Sequence, residues 1–343
     1  MSGIAEVARL AGVSKSTASR ALSGAGYVSA QTRSRVADAA SSLGYVPSTA
    51  AQSLATGRTQ NVGVVMPYVT RWFFAEVLEG IQSALLRRGY DLTLYNGSPG
   101  SASRRRAFDE ALIRKRFDGL IAVGLEPPGD ELDRLLALGK PVVRVVGTDD
   151  RALTVGLDDL DAGRRATEHL LALGHRRVVF VGAAGTARRP HVESARLTGY
   201  RDAMAEAGLD DEIRHVPSAL SMPDGYAAAV DLLSDVRSRP TGIVAVCDEV
   251  AVGTIVAARR LGIQVPAALS VIGIDDHEYA DMFSLTTLRQ VPREQGTQAV
   301  DLLMARLDDA DAALASISLK PRLIVRSSTA ALGRGAIPRP EGS

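Results

Sequence analysis

The sequence predicts a chain in two parts: an all-α N-terminal helix-turn-helix headpiece, followed by an α/β core of two lobes with parallel sheets. Three observations predict it. Residues Ile4 to Leu22 carry two short helical patterns separated by a glycine turn. From Asn61 onward, apolar strand-like runs alternate with helical ones, and the alternation occurs twice with a break near Asp158 to Asp161. Such βαβ repetition implies parallel strands with right-handed crossovers, and two sets imply two lobes.

In the first helix Ile4, Val7, Ala8 and Ala11 fall at i, i+3, i+4 and i+7, one apolar face. Gly12 can take the positive φ of a tight turn, and Ser14 can cap a second helix. On that helix Ala18, Ala21 and Leu22 face inward, while Lys15, Ser16, Ser19 and Arg20 share the opposite face with Ser14 and Thr17 at its start. Small and long donors without bulky apolar neighbours suit the floor of a DNA major groove. The same pattern also fits a plain helical hairpin with a solvated charged face.

A third helix, capped by Ser29 and stopped by Gly44, carries Val36, Ala39, Ala40 and Leu43 on one face. With AGVSKST, GYVS, LGYVP, AAQSLATGRT and VGVVMP in this order, the stretch from Ile4 to Pro67 resembles the LacI/GalR family of bacterial transcriptional regulators. The resemblance continues to about Ser328 through ATEHLLALGHRRVVFVG, ARLTGYRDAM, CDEVAVG and VPAALSVIGIDD. It implies a core like type I periplasmic sugar-binding proteins and a division into headpiece (1–46), hinge and linker (47–60), effector-binding and dimerisation core (61–330) and flexible tail (331–343). It also implies a repressor that binds double-stranded operator DNA as a homodimer and answers to a small-molecule effector, a sugar first.

Composition agrees. The chain has 343 residues, 46% of them hydrophobic, and a net charge of +1. The first 60 residues hold six basic side chains (Arg9, Lys15, Arg20, Arg33, Arg35, Arg58) against Glu6 and Asp38, so a basic head precedes a slightly acidic body. Cys247 is the single cysteine, which excludes an internal disulfide and suits a reducing compartment. The five histidines (His169, His175, His191, His215, His277) show no metal-ligand spacing, and no cofactor motif is present. No leader-like or membrane-spanning run is legible, so the expectation is a cytoplasmic protein, nucleoid-associated when bound to its operator.

Between head and body, Ser48 can cap a short helix from Thr49 to Ala55 that Gly57 ends. So short a helix is marginal alone and would form with a second copy on DNA. The resemblance makes it a hinge helix in which Ala51 faces its dimer mate and Leu54 wedges into a base step from the minor groove. A Ser/Ala-rich linker is the plain alternative.

In the body, NVGVVMP, DLTLYN, GLIAVG and PVVRVVG read as strands, with helices over 73–88, 103–116 and 130–138. The second set is RRVVFVGA, GIVAVCD and LSVIGID, with helices over 193–207, 224–233 and 249–261. LKPRLIVRSS resembles the returning strands that link the family's lobes. Ligands of such folds sit beyond the carboxyl ends of the strands, here the cleft between lobes. Trp72 and Phe73 follow the first strand and offer aromatic faces, with Phe74 equally suited to the core. By resemblance, Arg196 is a fork donor and Asp275 an acceptor for the effector, with Cys247 and Asp248 in the same pocket. Asp248 could equally cap the helix beginning at Glu249.

The sequence also departs from the family. Gly3 stands where a Ser or Thr cap is usual, Gln52 and Ala55 replace basic hinge residues, Arg71 and Trp72 replace Asn-Pro, and Cys247 replaces Asn. The effector therefore cannot be borrowed from a relative, and a purine or phosphorylated ligand stays open beside a sugar. Arg188 and Arg189 would favour an anion or simply be solvated. The tail lacks apolar heptads that would assemble a tetramer. A binding protein without DNA function is the rival class. An enzyme is not expected, since no nucleophile–base set or phosphate-binding glycine loop is present.

Overall fold

The structure is a computed structural model; it describes residues 3–23, 26–45, 57–97, 117–124, 133, 135–147, 151–183 and 191–333. The expected hinge helix with Ala51 and Leu54, the helix over 103–116, the Arg188–Arg189 pair and most of the tail lie outside them.

The headpiece holds α1 (Ile4–Leu10), α2 (Lys15–Ser23) and α3 (Ala30–Ser42). Gly3 is the N-cap of α1 and supplies no side-chain bond. Ser14 Oγ accepts from Thr17 N–H at 3.1 Å and Ser29 Oγ from Thr32 N–H at 3.3 Å, so two of the three starts are capped by hydroxyls. Gly12 takes φ 65° at the turn. The buried core is Val7, Ala8, Ala11, Ala18, Ala21, Val36, Ala39 and Ala40, small side chains that let three short helices approach closely.

The core contains β1 (Asn61–Met66), α4 (Trp72–Leu86), β2 (Asp91–Asn96), β3 (Gly119–Val123), β4 (Val142–Val145) and β5 (Leu153–Leu157). The chain then crosses to α5 (Asp159–Ala172), β6 (Val178–Val181), α6 (His191–Glu206), β7 (Arg214–Val216), α7 (Met222–Ser234), β8 (Gly242–Ala245), α8 (Asp248–Arg260), β9 (Ser270–Asp275) and β10 (Thr286–Arg289). It returns for α9 (Pro292–Asp308), and β11 (Ile317–Leu319) and β12 (Arg322–Ile324) add one edge strand to each sheet. The sheet orders are β11-β5-β4-β3-β1-β2 and β12-β10-β9-β8-β6-β7, the same strand order twice. All described pairs are parallel except β10 with β12.

The break expected near Asp158 is the first crossover: Asp158 caps α5, its Oδ1 accepting from Asp161 N–H at 3.1 Å. The returning strands are shorter and earlier than LKPRLIVRSS suggests. Sequence periodicity missed β5, β7, β10, α5 and α9. The strands are three to five residues, too short for a visible alternation, and α9 mixes polar with apolar residues because its N-terminal lobe covers only part of it.

Facing glycines weld the helix pairs. A Cβ on Gly80 of α4 would lie 2.1 Å from the Arg293 carbonyl oxygen of α9, and one on Gly163 of α5 equally close to that of Arg196 in α6. Gly225 and Gly253 do the same for α7 and α8. Past the headpiece, Arg58 binds the C-terminus of α9, Nη1 to Asp308 at 3.0 Å and Nη2 to the Leu307 carbonyl at 2.8 Å. Asp118 accepts the Thr59 and Gln60 N–H groups at 2.7 and 2.9 Å, so the last residues of the expected linker are tied to the N-terminal lobe.

Candidate functional site: headpiece face and interlobe cleft

On α2, Lys15, Ser16 and Arg20 are exposed, Thr17 and Ser19 half-buried, and Ala18 and Ala21 buried. Ser14 is occupied as the cap, its hydroxyl also meeting those of Ser16 at 2.9 Å and Thr17 at 2.8 Å. Arg20 lies along its own helix, Nε donating to the Ser16 carbonyl at 3.2 Å. The helix thus presents hydroxyls and two cations on one side.

The cleft is built at the carboxyl ends of the strands. Backbone strain concentrates there: Val146 after β4 has φ 72°, Ala183 after β6 has φ 48°, and Asp275 and Asp276 at the end of β9 have φ 144° and 58°. Non-glycine residues avoid this region, so the surrounding packing must impose it. The effect at β9 is to turn the Asp275 carboxylate into the space where α6 arrives.

Arg196 reaches that space from the second turn of α6, which Gly163 allows to lie directly against α5. Its Nε donates to Asp159 Oδ1 at 2.9 Å and its Nη1 to the Val246 carbonyl at 2.6 Å, while Asp275 Oδ1 lies 3.9 Å from Nη1. Asp275 Oδ1 also accepts from Gln290 Nε2 at 2.5 Å, and the Gln295 amide of α9 reaches Gln290 Oε1 at 3.4 Å. Burial opposes the charge on Arg196, but the carboxylates of Asp159 and Asp275 outweigh it and hold the guanidinium protonated. Burial pushes the Asp275 pKa up to about 6, against the opposing pull of Arg196 and the Gln290 amide.

Asp248 is the first residue of α8, whose N-cap is Cys247 without a side-chain bond. Both its oxygens are engaged: Oδ1 accepts from the Thr287 hydroxyl at 2.7 Å and Oδ2 from His277 N–H at 2.9 Å. Burial, then the neighbouring Asp275 charge, push its pKa up to about 8. Cys247 lies beside Asp275 and Arg196, and burial drives its thiol well above the ordinary value, which leaves it protonated and a poor nucleophile.

From the other lobe, Trp72 opens α4 and is half-buried, its ring centroid 4.8 Å from that of His277. Phe73 and Phe74 pack on the core of their own lobe and on each other at 5.4 Å. The structure therefore brings Arg196, Cys247, Asp248 and Asp275 into one buried polar group, joins Trp72 to it through His277, and packs Phe73 on the core of its own lobe. Asp159, His277 and Gln290 belong to the same group and escaped the sequence reading. Asp159 sat in the stretch expected to be a break, and nothing local marks a histidine after GIDD or a glutamine two residues before a proline.

Among the described residues no group of histidine, cysteine and carboxylates could hold a metal, and no helix is long and apolar enough to cross a membrane. The description of the bacterial regulatory proteins, lacI family, matches residues 3–48. That of the periplasmic binding protein-like domain matches residues 167–329. The HTH-type transcriptional repressor PurR of Vibrio campbellii is 31% identical over 338 residues, spanning 96% of this chain and 98% of that protein. The lac repressor dimer bound to operator and the anti-inducer ONPF superposes with a TM-score of 0.85 at 25% identity, over 96% of this chain and 99% of that one. A LacI family transcriptional regulator from Enterococcus faecium with bound ribose gives a TM-score of 0.71 at 26% identity, over 80% and 100% of the two chains. A basic helix-turn-helix head, two lobes of repeated topology and whole-length similarity to repressors rather than enzymes lead to one assignment: the chain belongs to the LacI family of bacterial regulatory proteins, as a DNA-binding transcriptional repressor with an effector-binding core.

Proposed function

We propose that this repressor binds a polyhydroxylated sugar at the carboxyl ends of its strands, between Arg196 and Asp275 on one side and Trp72 and Phe73 on the other. The carrying observation is the Arg196–Asp275 pair, a buried donor and a buried acceptor 3.9 Å apart. Adjacent sugar hydroxyls both give and take hydrogen bonds and match such a pair, while an apolar sugar face suits an aromatic ring. The Enterococcus faecium neighbour holds ribose, which supports the same class. Cys247 and Asp248 shape the floor of this pocket. A second reading has its own support: the similar repressor from Vibrio campbellii is named PurR, and a purine would use the same pair with its ring edge on Arg196 and Asp275. Thermal unfolding of the full chain with ribose, other sugars, phosphosugars and purines separates the two, because a ligand of the folded state raises Tm with concentration. A shift with purines alone would overturn the sugar.

On the DNA side, Ser14, Lys15, Ser16, Thr17, Ser19 and Arg20 form the operator-reading surface, with Ala51 and Leu54 as hinge contacts in a homodimer like the operator-bound lac repressor dimer. The headpiece (1–46), hinge and linker (47–60), core (61–330) and tail (331–343) act as separate units, in the cytoplasm and on the nucleoid when operator is bound. The anchoring of Arg58 on the C-terminus of α9 supports a path from cleft to hinge, since the N-terminal end of the same helix carries Gln295. Operator selection from random DNA should return a pseudo-palindrome. Arg20→Ala should then lose about 1 to 3 kcal/mol on that operator if it reads a base, and equally on random DNA if it holds phosphate.

A further inference from the structure

We infer that Trp72 and His277 form a clasp between the lobes, in which neutral His277 positions the ring of Trp72 and protonation of His277 releases it. Trp72 belongs to the N-terminal lobe and His277 to the segment after β9 in the C-terminal lobe, with ring centroids 4.8 Å apart and planes inclined by 37°. His277 also meets the Tyr279 ring at 4.9 Å, so it touches two rings, and only 5% of it is exposed. Its Nδ1 accepts the Tyr279 backbone N–H at 3.1 Å, which needs a lone pair there and places the proton of the neutral ring on Nε2. A second proton on Nδ1 would set donor against donor. The main chain cannot follow the ring easily, because His277 N–H is held by Asp248 Oδ2 at 2.9 Å.

The charged groups around this ring come from several elements. Glu76 of α4 and Glu278 beside it favour protonation; Asp248 and Glu249 open α8, and Arg71 lies over the Tyr68 ring at 4.2 Å. Burial outweighs the two glutamates and lowers the His277 pKa from its ordinary value. With the lobes apart the ring regains water, and burial no longer opposes its protonation. The conformation with the lower pKa is the one that acid disfavours, so falling pH shifts the clasp toward open. The face of Trp72 that meets His277 is already covered, and a ligand stacking there must displace the imidazole or use the opposite face. His277 is thus a positioning residue acting through Trp72. Its consequence for the effector rests on the proposed sugar site, whereas the clasp itself does not.

Trp72 is the single tryptophan of the chain, so the emission comes from this ring alone. The test follows acrylamide quenching of the full-length protein from pH 8 to 5, with far-UV circular dichroism on the same samples. The wild type should be protected at pH 8 and become about two-fold more quenchable as one proton is taken up at a midpoint below the ordinary histidine value. His277→Phe keeps the stack and has no proton to gain, so it should stay protected at every pH. His277→Ser should be quenched already at pH 8. A His277→Phe protein that titrates like the wild type, or a folded His277→Ser protein as protected as the wild type, overturns the clasp; if the serine variant fails to fold, the phenylalanine comparison alone decides. Trp72→Ala in the ligand screen separates the two claims: an unchanged ligand shift removes Trp72 from the effector site and leaves the clasp standing.

Discussion

The two lobes repeat one strand order, yet they face the cleft with different chemistry. The C-terminal side buries Arg196, Asp248 and Asp275 in a hydrogen-bonded set with Asp159, Thr287 and Gln290. The N-terminal side presents Trp72, half-buried against His277, while Phe73 and Phe74 pack on each other and on the core of their lobe. Buried charges are tolerable only where their partners are fixed, so the polar side is preorganised before any ligand arrives. Rings supply contact area with little polar demand and tolerate small rotations. In the proposed site, hydrogen-bond selection would then fall to the C-terminal lobe and aromatic contact to the N-terminal lobe.

The largest expected effect breaks the preorganised side. Arg196→Ala leaves Asp159 and Asp275 without their cation and should cost roughly 3 to 5 kcal/mol in urea unfolding, as for a buried pair stripped of one partner. Trp72→Ala, on the adaptable side, should cost clearly less; equal losses would erase the contrast. Next in size, Asp275→Asn keeps the shape and loses a charged acceptor, so calorimetry with the ligand found by thermal shift should show about 1.5 to 3 kcal/mol weaker binding while the protein stays folded. Unchanged affinity would move the polar contact elsewhere.

A paired test uses the helix welds. Gly163→Ala and Gly80→Ala each force a methyl against a carbonyl and should lower stability by about 1 to 3 kcal/mol. Only Gly163→Ala pushes on the backbone of Arg196, so only it should also weaken ligand binding; equal binding losses would mean that the lobes transmit strain to each other. A last test reads a pH profile. Burial raises the folded-state pKa of Asp248 to about 8, above the unfolded value of about 3.9, so its contribution to stability is fully present below pH 4 and is lost as pH rises toward 8. Asp248→Asn removes that loss. The Tm of the variant should therefore gain on the wild type between pH 5 and 8, and parallel profiles would show that Asp248 does not titrate there.

The sequence alone was enough for the headpiece and for the order of the main lobe elements, because both rest on local rules. Periodic apolar residues, hydroxyl caps at Ser14 and Ser29 and a glycine at position 12 act within a few residues of themselves. The helix bounds at α4, α6, α7 and α8 accordingly fall within two residues of the expected ones. Arg196 and Asp275 drew notice through the family resemblance, one opening RLTGY and the other ending a strand, and the structure places them 3.9 Å apart. What only the tertiary structure decided is who meets whom. Asp159 holds Arg196 across 37 positions of sequence, Thr287 holds Asp248 across 39, and Trp72 finds His277 only because α4 and the β9 loop come from opposite lobes. Those contacts depend on sheet order, on close helix approach at Gly163 and on a strained turn at Asp275, none of which leaves a periodic trace in the residues themselves.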